Sequence, residues 1–223
     1  MAKTNLRGWL CAVLLLAATC VQASVNIIPK PTLVKEGKGS FLVTDGMNIG
    51  VNDPALADAA DYLKQMIARA TGFQDLAVRR GEGHISLLLQ PAADPEDESY
   101  TLTVSSSRIT IKAGTYKGVV NGISTLRQLL PDEIESREPV KGIRWTVPVV
   151  QVQDKPAYHW RGLMLDPSRH FYSVEETEQF LDHMALYKFN KFHWHLTDGV
   201  AWRLQINRYP LLTQRGAWRE FRQ

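Results

Sequence analysis

Residues 161–196 read RGLMLDPSRHFYSVEETEQFLDHMALYKFNKFHWHL, and the order of elements in this stretch decides the fold. Arg161 to Asp166 is a short apolar run stopped by Pro167, which reads as a strand. Ser173 stands three residues before Glu176, so its hydroxyl and the Glu176 carboxylate can cap each other's backbone at a helix start. The helix should run to about Tyr187, with Phe180, Leu181, Met184 and Tyr187 on its apolar side. Lys191 to Leu196 is the next strand. Strand, helix and strand at this spacing predict a right-handed parallel βαβ unit. In folds built from such units, chemistry collects beyond the C-terminal strand ends. Here those places are Asp166 to His170 and Thr197 to Gly199.

Upstream, residues 24–157 read as a small α+β domain. Phe41–Val43 and Met47–Val51 flank a Thr-Asp-Gly turn and are strand candidates. Pro54 to Thr71 is helical, with Pro54 suited to the first turn and Gly72 as a stop. Ile85–Leu89 is a buried strand, and 100–104 with 109–111 form a hairpin around Ser105–Arg108. Tyr116 to Leu130 is a second helix ended by Pro131. Pro131 to Lys141 is a polar loop, and Thr146 to Val152 is a strand. From His159 the texture changes: five of the six histidines (159, 170, 183, 193, 195) fall after residue 158. The domains are therefore placed at 24–157 and 158–223.

Residues 1–23 have Lys3 and Arg7, a short apolar run, and Val21-Gln22-Ala23, the pattern of a secretory signal peptide. The run is too short to span a bilayer. Removing it leaves 24 basic against 23 acidic residues, a balance that gives no reason to expect nucleic acid or an anionic membrane as partner. Cys11 and Cys20 are the two cysteines and both lie in this leader, so disulfides, thiolate metal sites and cysteine nucleophiles are excluded from the rest. Cys20 after Ala17-Ala18-Thr19 is a weaker match to a lipoprotein site, because Thr19 fits poorly. Export to a periplasm, cell surface or medium is the expectation. With 44% hydrophobic and 22% charged residues the chain has globular composition, yet 223 residues are few for a complete (β/α)8 barrel of about 250.

Arg169 and His170 follow the first strand and Asp198 the second, so they are expected to line one pocket. A guanidinium fork suits vicinal hydroxyls or a carboxylate, but a structural Arg–Asp pair at a strand rim fits the spacing equally well. His193 and His195 fall on one strand face and Phe192, Trp194 and Leu196 on the other. A His-x-His pair can ligate a metal; two hydrogen-bonded interior histidines are the simpler reading, since no further ligand is apparent. The five tryptophans after the leader (145, 160, 194, 202, 218) suit either a core or the apolar face of a sugar. Serine-nucleophile elbows, phosphate loops and dinucleotide fingerprints are absent.

Trp160 to Phe171 resembles the opening of the catalytic barrel of glycoside hydrolase family 20, the β-N-acetylhexosaminidases. Asn190 to Asp198, Trp202-Arg203, Tyr209 to Thr213 and Gly216 to Arg219 resemble the block around its second strand. Ile28 to Pro31 and Thr125 to Leu130 resemble its non-catalytic first domain. The resemblance implies an α/β architecture in which a small α+β domain precedes the first βαβ portion of a TIM barrel. It implies an exo-acting glycosidase that releases terminal β-linked N-acetylglucosamine or N-acetylgalactosamine from glycans. In that family the substrate's acetamido oxygen attacks the anomeric carbon, an exception to the usual two-carboxylate scheme. An aspartate orients the acetamido group, the adjacent glutamate is acid and then base, and no metal or other cofactor is needed.

Carried over residue by residue, the resemblance gives Arg169 the 3- and 4-hydroxyls of the terminal sugar, and gives Asp198 support of the general acid through an intervening histidine. Gly199 departs from the family's usual second aspartate. The acid–base pair itself belongs after the fourth strand, and no suitable Asp-Glu follows residue 157; Asp132-Glu133 lies in the first domain. The 223 residues are therefore expected to be the N-terminal part of a longer enzyme and, alone, inactive. The alternatives are a sugar-binding remnant and, less readily, a metal-dependent hydrolase using His193 and His195.

Overall fold

The computed structural model describes residues 25–90 and 92–218. The leader-like segment, with Cys11 and Cys20, lies outside the described residues, as does Arg219. The first part of the chain is a seven-stranded sheet with two helices against one face. In chain order its elements are β1 (Leu33–Leu42), β2 (Asn48–Val51), α1 (Ala57–Thr71), β3 (Ala77–Arg80), β4 (Ile85–Leu89), β5 (Tyr100–Val104), β6 (Ile109–Ala113), α2 (Tyr116–Leu129) and β7 (Thr146–Asp154). Across the sheet the order is β1-β7-β5-β6-β4-β2-β3. The β3, β2, β4 and β6 side is parallel, and the β6, β5, β7 and β1 side is antiparallel.

The alternation of β5 and β6 makes the sheet one-sided. Tyr100, Leu102, Val104, Ile109 and Ile111 are buried beneath the helices, whereas Thr101, Thr103 and Lys112 face outward. Helix α2 sits unusually close to the sheet. A Cβ at Gly118 would lie 2.5 Å from the Ser99 carbonyl oxygen, and one at Gly122 would lie 2.5 Å from Ile111. Thr115 caps α2 by accepting from Gly118 N, and Pro131 follows it.

Two strands differ from the sequence expectation. Of the expected Phe41–Val43, Phe41 and Leu42 close the ten-residue β1, whose first eight residues, LVKEGKGS, are too polar and glycine-rich to show a strand pattern; they form a strand because they pair along β7 across an irregularity between Glu36 and Ser40. The edge strand β3 (AVRR) was unmarked in the sequence, since two arginines break its alternation. Pro54 to Leu56 is a short 3-10 turn leading into α1 rather than α-helix, and Asp132–Glu135 forms another within the expected loop.

The second part contains the predicted unit: β8 (Gly162–Leu165), α3 (Val174–Leu186) and β9 (Lys191–Trp194), with β8 and β9 parallel and Leu163 opposite Phe192. Ser173 and Glu176 form both halves of the capping box. The strands are shorter than expected, because the chain leaves β9 after Trp194 for a small hairpin of β10 (Thr197–Asp198) and β11 (Ala201–Trp202). A one-turn helix α4 (Leu211–Gln214) follows. On α3 only Met184 of the four expected apolar residues is buried; Leu181 and Tyr187 remain largely exposed.

The hydrophobic core runs from Ile27 to Val152 and lies within the first part. Helix α3 packs on α2, where Ser124 and Gln128 donate to the carbonyls of Ala185 and Leu186. Among the described residues no helix is long and apolar enough to cross a membrane.

Candidate functional site

The loop beyond β8 is tightened by Asp166. Its carboxylate accepts from Arg169 N at 3.0 Å and lies 3.3 Å from Arg169 Nε. Pro167 cannot continue the strand ladder. Ser168 is fully buried and its hydroxyl donates to Ala201 O at 2.7 Å, fixing this loop to β11. The turn leaves the Arg169 side chain 75% exposed beyond the strand end.

Beyond β9 the backbone of His195 still donates to Leu165 O at 2.9 Å, so the two strand ends stay side by side. Asp198 ends β10. Its carboxylate accepts from Gly199 N at 2.6 Å and lies 3.5 Å from His195 Nε2. The Gly199 N–H, then His195, then the positive field of Arg169 hold the Asp198 carboxyl below the usual aspartate range. The site therefore carries a fixed negative charge near a fixed positive one.

Arg203 knots the surrounding loops together. Its Nε donates to Pro167 O at 3.0 Å and its Nη1 to Ala217 O at 2.7 Å, while its backbone N donates to Leu196 O. The guanidinium also lies over the Phe171 ring at 5.4 Å. Around it is a hollow of about 660 Å³ walled by Arg169, His170, Phe171, Trp202, Arg203 and Trp218. Aromatic walls beside a guanidinium fork can hold a ring that has one apolar face and hydroxyls at its edge.

The structure thus brings Arg169 and His170 to one hollow. Asp198 is not one of its walls; placed in the β10–β11 hairpin, it faces His195. Arg203 was not singled out in the sequence as a site residue. Its only signal was its place after Trp202, within a motif quoted as a block. A hollow of similar size, about 650 Å³, lies on the open sheet face over Thr101, Thr103, Lys112 and Gln151. Its walls are polar and belong to the first part of the chain, and Arg169 is not among them.

His193 and His195 do share a face, their rings 5.7 Å apart and edge to face, with Phe192 and Trp194 together on the other side. Among the described residues no group of three or more His, Cys, Asp or Glu side chains could hold a metal ion. Two imidazoles alone leave a four-coordinate metal site incomplete.

Comparison with known proteins points to one family over the length of both parts. The model for the catalytic domain of glycosyl hydrolase family 20 matches residues 158–223, and the model for domain 2 of that family matches residues 24–155. A β-hexosaminidase of Porphyromonas gingivalis is 39% identical over 199 residues, covering 87% of this chain and 25% of the relative. One from Vibrio furnissii is 35% identical over 198 residues, covering 88% and 30%. The structure of Streptomyces plicatus N-acetyl-β-hexosaminidase in complex with thio-NAglucal superposes with a TM-score of 0.76 at 37% identity, over 85% of this chain and 38% of that one. The chain spans between a quarter and two fifths of the length of these relatives.

Proposed function

Since the chain belongs to glycosyl hydrolase family 20, we propose that it forms the first domain and the opening of the catalytic domain of an exported exo-β-N-acetylhexosaminidase. The observation that carries this reading is the hollow lined by Arg169, Phe171 and Trp218 beyond the end of a parallel strand pair.

In this reading the Arg169 fork donates to the vicinal 3- and 4-hydroxyls of a terminal N-acetylhexosamine, and an indole packs on the sugar's apolar face. Asp198 stays ionised and orients an imidazole, which in turn holds the proton of the general acid where the leaving oxygen needs it. The acetamido oxygen of the substrate is the nucleophile, so this part of the site has only to bind and orient. The Asp-Glu pair that would stabilise the acetamido group and move the proton is not among residues 158–223. The leader-like residues 1–23 support export.

The 223-residue polypeptide is expected to bind N-acetylglucosamine weakly and to release no chromophore from a chromogenic β-N-acetylglucosaminide. Saturation-transfer NMR with N-acetylglucosamine checks the first point. Arg169→Lys should reduce the transfer at least about tenfold, because an ammonium replaces the fork by a point charge. Equal transfer in Arg169→Lys, or none with the unmodified chain, would overturn the sugar assignment. Turnover by the purified 223-residue protein would overturn the division of labour.

A further inference from the structure

Two carboxylates of the first domain reach the opposite end of the strand pair from the hollow. Glu98, 8% exposed, precedes β5. One of its oxygens accepts from Arg161 Nη2 and the other from Asn190 Nδ2 at 3.0 Å. Arg161 is the residue immediately before β8, and Asn190 is the residue immediately before β9. The two are also joined directly, Arg161 N to Asn190 Oδ1 at 3.1 Å and Asn190 N to Arg161 O at 2.9 Å. Arg161 Nε donates onward to Lys188 O at 2.7 Å, and Asn190 Nδ2 to His159 O at 2.9 Å.

Asp154, at the end of β7, makes the second connection. It lies 3.7 Å from Lys188 Nζ and accepts from the Tyr100 hydroxyl. Lys188 has φ 61°, the one positive φ outside glycine among the described residues, and its buried Nζ, 5.6 Å from the Tyr100 ring, makes no hydrogen bond. A left-handed lysine that desolvates its ammonium is unfavourable by itself. Such a residue persists where surrounding contacts over-determine it, and here they are contacts to the other domain.

The short ladder by itself sets the register only weakly, and the Arg161–Asn190 bonds at its start are themselves held by Glu98. Each strand has four residues, and a slip of two residues would keep every side chain on its own face. Such a slip would move one strand end by about 7 Å relative to the other. We propose that Glu98, backed by Asp154, fixes the register of β8 against β9, so that a domain with no residue in the hollow sets the separation of Arg169 and Asp198. Glu98 is then a positioning residue for the site. Its importance there rests on the sugar-site reading above; the register claim does not.

The test is NMR on the full 223-residue chain. In the unmodified protein, interstrand NOEs should join Leu163 to Phe192 and Met164 to His193. In Glu98→Ala these NOEs should be lost or shifted by two residues, and amide protection from Asn190 to His195 should fall at least about tenfold, while amides of β5 and β6 change less than about twofold. Glu98→Gln, which keeps an acceptor for Arg161, should restore the NOE pattern in part. Asn190→Asp, which keeps the acceptor for Arg161 N but replaces the donor to Glu98 by a like charge, should lower the protection of β9 and serves if Glu98→Ala fails to fold; Asn190→Ala, which also removes the acceptor for Arg161 N, should loosen both strand starts. Unchanged NOEs in Glu98→Ala, or unchanged protection of β9 in Asn190→Asp, would overturn the proposal, as would an equal loss of protection in both domains. Neither result depends on sugar binding, so failure of the functional reading stays distinguishable.

Discussion

Lys188 shows how one residue can carry a measurable signature. Burial holds its ammonium below the usual lysine range, against the opposing pull of Asp154, while Arg161 adds repulsion. A cation whose folded pKa is lowered binds its proton less readily than in the unfolded chain. The unfolded state therefore holds more protons between that lowered value and the lysine reference of about 10.4, and stability rises with pH across that window. Tyr100 in the same cluster is displaced upward by burial and acts in the opposite direction above about pH 10. Lys188→Met removes the first effect and keeps the second. The unfolding free energy of the unmodified protein, measured relative to Lys188→Met by urea titration, should rise as the pH approaches about 10. A flat difference would show that the ammonium is not desolvated. The site residues behave differently: Arg169 and Asp198 were legible from their places just past two strands, but the turn that faces Asp198 toward His195 was not.

Among the elements, α2 and α3 show two kinds of constraint. In α2 the glycine at 118 is required by closeness rather than by flexibility, since the nearest atom to an added Cβ is the Ser99 backbone carbonyl oxygen. Alanine there gains up to about 1 kcal/mol of helix propensity. It loses about 1–3 kcal/mol to overpacking against a backbone carbonyl next to β5. Gly118→Ala should therefore lower the denaturation midpoint by the equivalent of about 1–2 kcal/mol; a higher midpoint would mean that the helix can shift outward. In α3 the constraint is local. Ser173→Ala removes the cap to Glu176 N and should cost about 1 kcal/mol, with loss of amide protection confined to the first turn. Protection spread equally along the helix would place its stability elsewhere. The α3 start was readable because a capping box is written in neighbouring residues. The long β1 was not, because its polar first eight residues are a strand only in the company of β7.

At the scale of the whole molecule, stability is uneven. The buried core belongs to the first domain, while the strand pair leaves Met164, Trp194 and Leu163 partly open to solvent. Segments with few buried apolar contacts open at lower free energy than the core. Limited proteolysis should cut first within residues 158–218 and leave a resistant fragment of the first domain. Preferential cleavage inside residues 33–154 would contradict that order. The two domains are joined mainly by the polar contacts of Glu98, Asp154, Ser124 and Gln128, so the weak part is held by directional bonds.

By itself the sequence determined the parallel strand–helix–strand unit, the hairpin of β5 and β6, the two helices of the first domain and the family. All of these are encoded in periodicity, caps and contiguous motifs, which act over a few residues. Only the tertiary structure decided that LVKEGKGS and AVRR are strands, that Arg203 closes the hollow, that Asp198 is not one of its walls, and that Glu98 reaches across to both strand starts. The two strands, Arg203 and Glu98 depend on partners tens of residues away, and hydrogen bonds between such groups form only after the chain has brought them within about 3 Å; the placing of Asp198 follows from where β9 ends and the β10–β11 hairpin begins.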